Sequence, residues 1–362
     1  MIRIATIGTS SITDSLLDAI AKCDDVTFAG AYSRNRENAT AYTNQHGGWH
    51  AFTTFEKLVG AGDVDAVYIA SPNALHHDQA LACIRNGKHV LVEKPLGVNA
   101  REVQEILDAA DDAGVVAMEA MRPLHDPAFR ACQAALPDLG RIRRVTLRYG
   151  KYSSRYEEIR AGQHTNIFDC AMGTGALMDI GIYTVEPLVA LFGSPQSISC
   201  SSVLLDESTR GVTNGAIDGA GTILARYPTM TASLHYSKIT NDMSQSEIEG
   251  EDGTMLINAI SMPSRALMNL RTATTATGGY SKSSIKSYAL DLPESPNNMV
   301  CELDDFAQAI AAVQKGAKPG DAPAGPYGTI GQFGETTLTA LKLMDEARAQ
   351  SGIVFPADKQ RA

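Results

Sequence analysis

Hydrophobic and polar positions divide this chain into two rhythms. In the first third, short continuous apolar runs recur at 2–7, 26–32, 64–70, 90–92 and 115–119. Amphipathic stretches lie between them, the first through Leu16, Leu17 and Ile20, a later one stopping at Gly87. Continuous apolar runs predict strands buried on both faces, and the three-to-four spacing predicts helices packed against them. Five such alternations predict a doubly wound parallel α/β unit over residues 1–122. After Pro127 the period drops to two. Val145, Leu147 and Tyr149 alternate with Arg144, Thr146 and Arg148, and Met230, Ala232, Leu234 and Tyr236 alternate with Thr231, Ser233 and His235. With further strands expected at 197–205, 216–227, 247–249, 255–258 and 287–292, residues 123–362 read as an α/β unit with a large, mostly antiparallel open sheet and few helices. Its mixed outer face is a candidate subunit contact, giving a homodimer or homotetramer. Late helices at 301–314 and 332–350 flank a Pro/Gly-rich loop at 315–328, expected to be a mobile surface excursion.

Composition narrows the classes of function. The 362 residues are 44% hydrophobic and 20% charged, as in an ordinary globular protein, and are long enough for two cores. A net charge of −10 without a basic stripe argues against nucleic acid. No run approaches a membrane span, and the start does not read as a signal peptide. Six scattered cysteines, with no CxxC pair and no His/Cys cluster at zinc spacing, fit a reducing, cytoplasmic setting and no metal site.

In open α/β sheets ligands bind at the carboxyl ends of the strands, which places Gly8, Ser33, Ser71, Lys94 and Arg122 along one crevice. Gly8-Thr9-Ser10-Ser11-Ile12 stands between strand and helix, where a dinucleotide fingerprint would stand. The second glycine of that fingerprint is Ser10 and the third is Thr13. Hydroxyls and a helix N-terminus can still hold phosphate. Ser33-Arg34, where an NAD site would carry an acid, suit a 2′-phosphate, favouring NADP(H) with NAD(H) possible. Ser71-Pro72-Asn73 and His76 follow the third strand.

Glu93-Lys94-Pro95 ends the fourth strand, with Lys94 held extended by the proline; a solvated turn lysine is the alternative reading. Asp179 and Tyr183, four apart on a predicted helix, share a face, and Gly181 between them leaves room for a ligand. A free phenol titrates near about 10, so Tyr183 needs a cationic neighbour to work at neutral pH, and Lys94 is the candidate. A structural aspartate and a core tyrosine are the alternative.

Together with Glu119-Ala120-Met121-Arg122, the Gly175 to Tyr183 segment and the terminal Gly352-Ile353-Val354-Phe355-Pro356-Ala357-Asp358, these motifs make the whole chain resemble the Gfo/Idh/MocA oxidoreductases. The resemblance implies an N-terminal Rossmann domain and NAD(P)-dependent oxidation or reduction of a sugar, polyol or related carbonyl. It also implies that Lys94 and Tyr183 are catalytic. In the mechanism expected from these residues, the nicotinamide lies near Lys94 and Met121-Arg122, and Asp179 orients the substrate hydroxyls with Arg122 a candidate to help. Glu93 binds the cofactor ribose, fixes the lysine, or only finishes the strand. Tyr183 stands where inositol dehydrogenase-like members carry histidine. That is similar to glucose–fructose oxidoreductase and dimeric dihydrodiol dehydrogenase, and it points away from inositol. Two other classes remain: an NAD-dependent glycosidase-like enzyme, and a dinucleotide-binding sensor or scaffold without turnover.

Overall fold

The computed structural model describes residues 1–277 and 280–359 and builds them on two sheets. The first contains β1 (Ile2–Ile7), β2 (Val26–Tyr32), β3 (His50–Phe52), β4 (Ala66–Ile69), β5 (His89–Glu93) and β6 (Ala117–Ala120). All its pairs are parallel, in the order β3-β2-β1-β4-β5-β6. This is the doubly wound pattern, and the apolar runs explain it: Val90, Leu91 and Val92 are wholly buried, as are Ala66, Val67, Tyr68 and Ile69. β3 was not expected, because three residues are too few to show a period. The helix Arg36–Gln45 was missed for a related reason, burying only Ala39 and Thr43.

The second sheet contains β7 (Ile142–Gly150), β8 (Ser197–Leu204), β9 (Asp218–Arg226), β10 (Thr231–Ser237), β11 (Ser246–Gly250), β12 (Gly253–Ile257), β13 (Ala266–Thr277) and β14 (Tyr280–Leu290). Their order is β14-β13-β12-β11-β7-β10-β9-β8, antiparallel except for the central β7–β10 pair. The period-two residues behave as their spacing predicts: Val145, Leu147, Ala232, Leu234 and Tyr236 face the core, whereas Arg144 and Thr231 do not. The β13–β14 hairpin was only partly anticipated, since its Thr/Ser-rich strands offer little apolar alternation.

Against the expectation that no run approaches a membrane span, the helical stretch from Cys170 to Phe192 is long and apolar enough for one, but 78% of its most apolar part is buried within the protein. It packs on the second sheet and on the helix Ile330–Gln350. The chain then returns to the first sheet. Helix Met299–Gln314 packs on helix Ser11–Ile20, and Ile330–Gln350 packs on β6 and on helix Ala100–Ala113. Polar contacts fix this return: Asn297 Nδ2 donates to the Ser15 carbonyl at 2.9 Å, and Thr337 Oγ1 to Glu119 Oε2 at 2.9 Å. The 315–328 loop is more anchored than its composition suggests. Ala322 and Ala324 are wholly buried, and the Gly325 N–H donates to Gln308.

Candidate active site

Lys94 leaves β5 at the carboxyl edge of the first sheet, and the Lys94–Pro95 peptide is cis. Because β5 is pinned on both faces, its end is rigid. The Lys94 ammonium donates to the Asp179 carbonyl oxygen at 2.6 Å and to Asp179 Oδ1 at 2.9 Å. Lys238, just past β10, donates to Asp179 Oδ2. One carboxylate therefore joins the first sheet to the second. Burial opposes charge on Asp179, yet the two ammonium groups outweigh it and hold the carboxyl well below its usual range. The reciprocal effect keeps Lys94 charged despite burial, with Asp179 and then Tyr183 overcoming desolvation.

Tyr183 is 7% exposed, its ring centroid 5.0 Å from Lys94 Nζ, with the Tyr149 ring edge-on at 5.6 Å. The guanidinium of Arg122 is next to it. Burial works against that charge, but Tyr183, Glu302 and Glu93 more than compensate. Behind Arg122, Glu93 accepts from the Tyr68 hydroxyl at 2.5 Å, and burial pushes its carboxyl up. Glu302 is fully buried with neither carboxyl oxygen hydrogen-bonded among the described residues, and burial followed by Glu93 pushes it well up.

The segment carrying Asp179 and Tyr183 is not a plain α-helix. Leu177–Gly181 is a π-helical turn that runs into the α-helix Ile182–Phe192, the kind of distortion often found at functional sites. Asp218 anchors its start by accepting from the Ala176 and Leu177 N–H groups at 3.1 and 2.8 Å. Gly181 does not face a ligand, as its spacing suggested. A Cβ there would lie 3.1 Å from Cγ of Tyr236, so the missing side chain lets the helix seat on β10. Lys94, Tyr149, Lys151, Tyr152, Ser153, Asp179, Tyr183 and Lys238 line an open cleft of about 370 Å³.

The cofactor candidates lie along the same sheet edge. Gly8 has φ +109°, and a Cβ would stand 2.8 Å from the Ala70 carbonyl oxygen, so only glycine lets β1 turn beside β4. Thr9, Ser10 and Ser11 are exposed, with Ile12 behind them. Ser10 precedes helix Ser11–Ile20 without capping it, so the first-turn N–H groups have no side-chain partner there. Ser33 accepts from the Asn35 N–H, while Arg34 is exposed and makes no ion pair among the described residues. Ser71 donates to Gln79, and Asn73 donates to the Gly173 carbonyl at 3.0 Å, tying the two units together. His76 is buried, with each ring nitrogen 2.8 Å from a backbone carbonyl, of Pro95 and of Ser71. Burial favours the neutral ring, so one of the two nitrogens donates its N–H and the ring sits between two loops rather than facing the cleft. In the segment 152–168, which follows β7, Tyr152, Ser153 and Ser154 reach the cleft. Arg155 pairs with Glu158, His164 with Asp169, and Tyr156 packs on Phe168.

Lys238 escaped the sequence reading. Its one signal is position: a lysine one residue past a period-two strand. The packing of the Leu177–Gly181 turn on β10 brings it to Asp179.

A parallel sheet with an uncapped βα turn, joined at its carboxyl edge to a lysine–tyrosine cleft, defines a nicotinamide-dependent oxidoreductase. Residues 2–121 match the oxidoreductase family with the NAD-binding Rossmann fold, and residues 135–256 match the GFO/IDH/MocA C-terminal domain. The protein belongs to the GFO/IDH/MocA family and is an NAD(P)-dependent oxidoreductase. It is 36% identical to scyllo-inositol 2-dehydrogenase (NADP(+)) IolU of Bacillus subtilis (strain 168), over 99% of this chain and 100% of IolU. It is 27% identical to trans-1,2-dihydrobenzene-1,2-diol dehydrogenase of Macaca fuscata fuscata, over 97% and 96% of the two chains. In fold it resembles KijD10, a 3-ketoreductase from Actinomadura kijaniata solved with NADP and TDP-benzene, with a TM-score of 0.77, 22% identity and coverage of 97% and 98%. The diol dehydrogenase agrees with the expected kinship. IolU is named for an inositol, whereas Tyr183 was expected to point away from one.

Proposed function

We propose that the protein interconverts a ring alcohol and its ketone in a sugar or cyclic polyol, using NADP(H), with Tyr183 as the proton-transferring group. The observation that carries this reading is the meeting of Tyr183, Lys94, Asp179 and Lys238 in one cleft at the carboxyl edge of the first sheet. The dinucleotide suits the residues present: the Gly8 turn leaves no Cβ in the way, the first-turn N–H groups of helix Ser11–Ile20 are uncapped, and Arg34 is free to pair with a 2′-phosphate. Thr9, Ser10 and Ser11 would hold the diphosphate, and Ser33 and Arg34 the adenosine ribose. When bound, the cofactor supplies or accepts the hydride.

The protein's part is proton transfer and charge. Tyr183 gives its hydroxyl proton to the carbonyl oxygen in reduction and takes it back in oxidation. Lys94 and Arg122 stabilise the negative charge that develops on the Tyr183 oxygen. Asp179, with both oxygens held by lysines, fixes Lys94 and Lys238 in place and leaves their remaining N–H groups for substrate oxygens. Relatives named for a cyclic polyol and a cyclic diol support a ring substrate.

The test is titration with NADPH and NADH, then steady-state rates on a polyol and ketose panel. Tyr183→Phe and Lys94→Met should each lower kcat at least about a hundredfold while leaving NADPH binding intact. Near-wild-type turnover by both variants would discard the assignment, and tighter binding of NADH would discard the role of Arg34.

We also propose assembly through the outer face of the second sheet, where Leu224 and Ile285 are 57% and 64% exposed. Sedimentation showing a monomer at micromolar concentration would refute this. A cytoplasmic setting is supported by six cysteines with no disulfide, and recovery of the protein outside the cytoplasmic fraction would overturn it.

A further inference from the structure

The charges lining the cleft do not balance. Lys94, Lys151 and Lys238 face it with Asp179 as the single carboxylate among the lining residues, in a chain whose net charge is −10. Acidic groups near the rim are already matched: Glu157 with Arg160, Glu158 with Arg155, and Asp242 with Arg148. Asp179 offsets one of the two ammonium groups it touches, which leaves the lining with a surplus of positive charge. Lys151 is left over and makes no ion pair among the described residues.

Its placement comes from the parallel β7–β10 pairing. Ser237 stands opposite Gly150, the Lys151 N–H donates to the Ser237 carbonyl at 2.9 Å, and the Ser153 N–H donates to the Lys238 carbonyl at 2.9 Å. Lys151 and Lys238 thus leave two neighbouring strand ends side by side, both toward the cleft. Like charges on adjacent strands repel. An anion between them turns that repulsion into attraction, and a positively lined cleft on an acidic protein draws anions in.

Resting on the oxidoreductase reading above, we propose that the substrate is an acidic sugar or polyol. Its carboxylate or phosphate is bound by Lys151 with Lys238, while the reacting ring carbon lies at Tyr183. Lys151 is then a specificity residue for the anionic group.

The experiment compares D-glucose, D-glucuronate and D-glucose 6-phosphate, three compounds on one ring, with NADP(+). A second arm needs no turnover: acetate and inorganic phosphate are titrated separately into protein saturated with NADP(+). The expected result is kcat/KM at least about tenfold higher for one anionic sugar than for glucose, falling with added salt. The matching small anion should bind, and Lys151→Met should weaken that binding and reduce the preference about tenfold, mainly through KM. Whether acetate or phosphate binds names the anion. Failure of both anions to bind, an equal or better rate with the neutral sugar, or a preference unchanged in Lys151→Met would overturn the proposal. Anion binding without turnover of any sugar or polyol would leave this site standing and count against the oxidoreductase substrate class instead.

Discussion

At the scale of single residues, Asp179 carries the most weight. Its carboxylate takes two ammonium groups from different sheets, and each would be a buried, uncompensated charge without it. Breaking one side of such a cluster costs about 3–5 kcal/mol. Because its folded pKa lies below the unfolded value, its contribution is complete above the unfolded pKa of about 3.9 and disappears as pH falls through the folded one. Urea unfolding of wild type and Asp179→Asn should therefore show a gap that is constant from pH 7 to about pH 5 and narrows below about pH 4. A gap that stays constant down to pH 3 would show that the ion cluster is not what Asp179 contributes. Tyr183 and Lys94 were legible in the chain because their neighbours announced a strand end and a helix face. Lys238 was not, because a single lysine after a strand has no local context until the strand's partner is known.

At the scale of elements, the π turn and helix bearing Tyr183 are placed by two contacts that the residue spacing could not show. Gly181 seats against Tyr236, and Asp218 receives the Ala176 and Leu177 N–H groups. Burial pushes the Asp218 carboxyl up to about 6, against the pull of those N–H groups. A carboxyl whose folded pKa is raised binds its proton more tightly folded than unfolded. Stability from this group is therefore greatest below about pH 4 and falls as pH climbs to about 6, by about 3 kcal/mol. In Asp218→Asn that descent should vanish from the pH dependence of thermal or urea unfolding between pH 4 and 6; its persistence would place the titrating group elsewhere. The same helix contributes Glu186, wholly buried beside Glu119, and burial followed by Glu119 pushes its carboxyl well up.

At the scale of the whole molecule, the two sheets were anticipated as two consecutive units, yet the last two helices return to the first, and Ile330–Gln350 packs on elements of both. Met299–Gln314 and Ile330–Gln350 cover apolar surface on the first unit that residues 1–122 alone would expose, including part of the surroundings of β6. A fragment of residues 1–122 should therefore show weak near-ultraviolet circular dichroism and poor amide dispersion. Co-expression with a 297–359 fragment should restore both. A well-dispersed, cooperatively unfolding 1–122 fragment would show the first sheet to be self-sufficient. The site inherits this arrangement, since Lys94 comes from one sheet, Lys238 from the other, and Tyr183 from a helix wedged between them.

What the chain determined by itself was whatever depends on near neighbours. Period one and period two separated the parallel from the antiparallel sheet. Gly8 marked the βα turn, and Glu93-Lys94-Pro95 and the Asp179–Tyr183 spacing marked the candidate site. Tertiary structure alone decided who meets whom. It placed Lys238 on Asp179, set the His76 ring between two loop carbonyls, turned Gly181 toward Tyr236, and set Lys151 beside Lys238. The reason is physical: periodicity reports which face of an element is buried, whereas strand order and long-range pairing are fixed by the packing of the whole core, to which no short stretch of sequence has access.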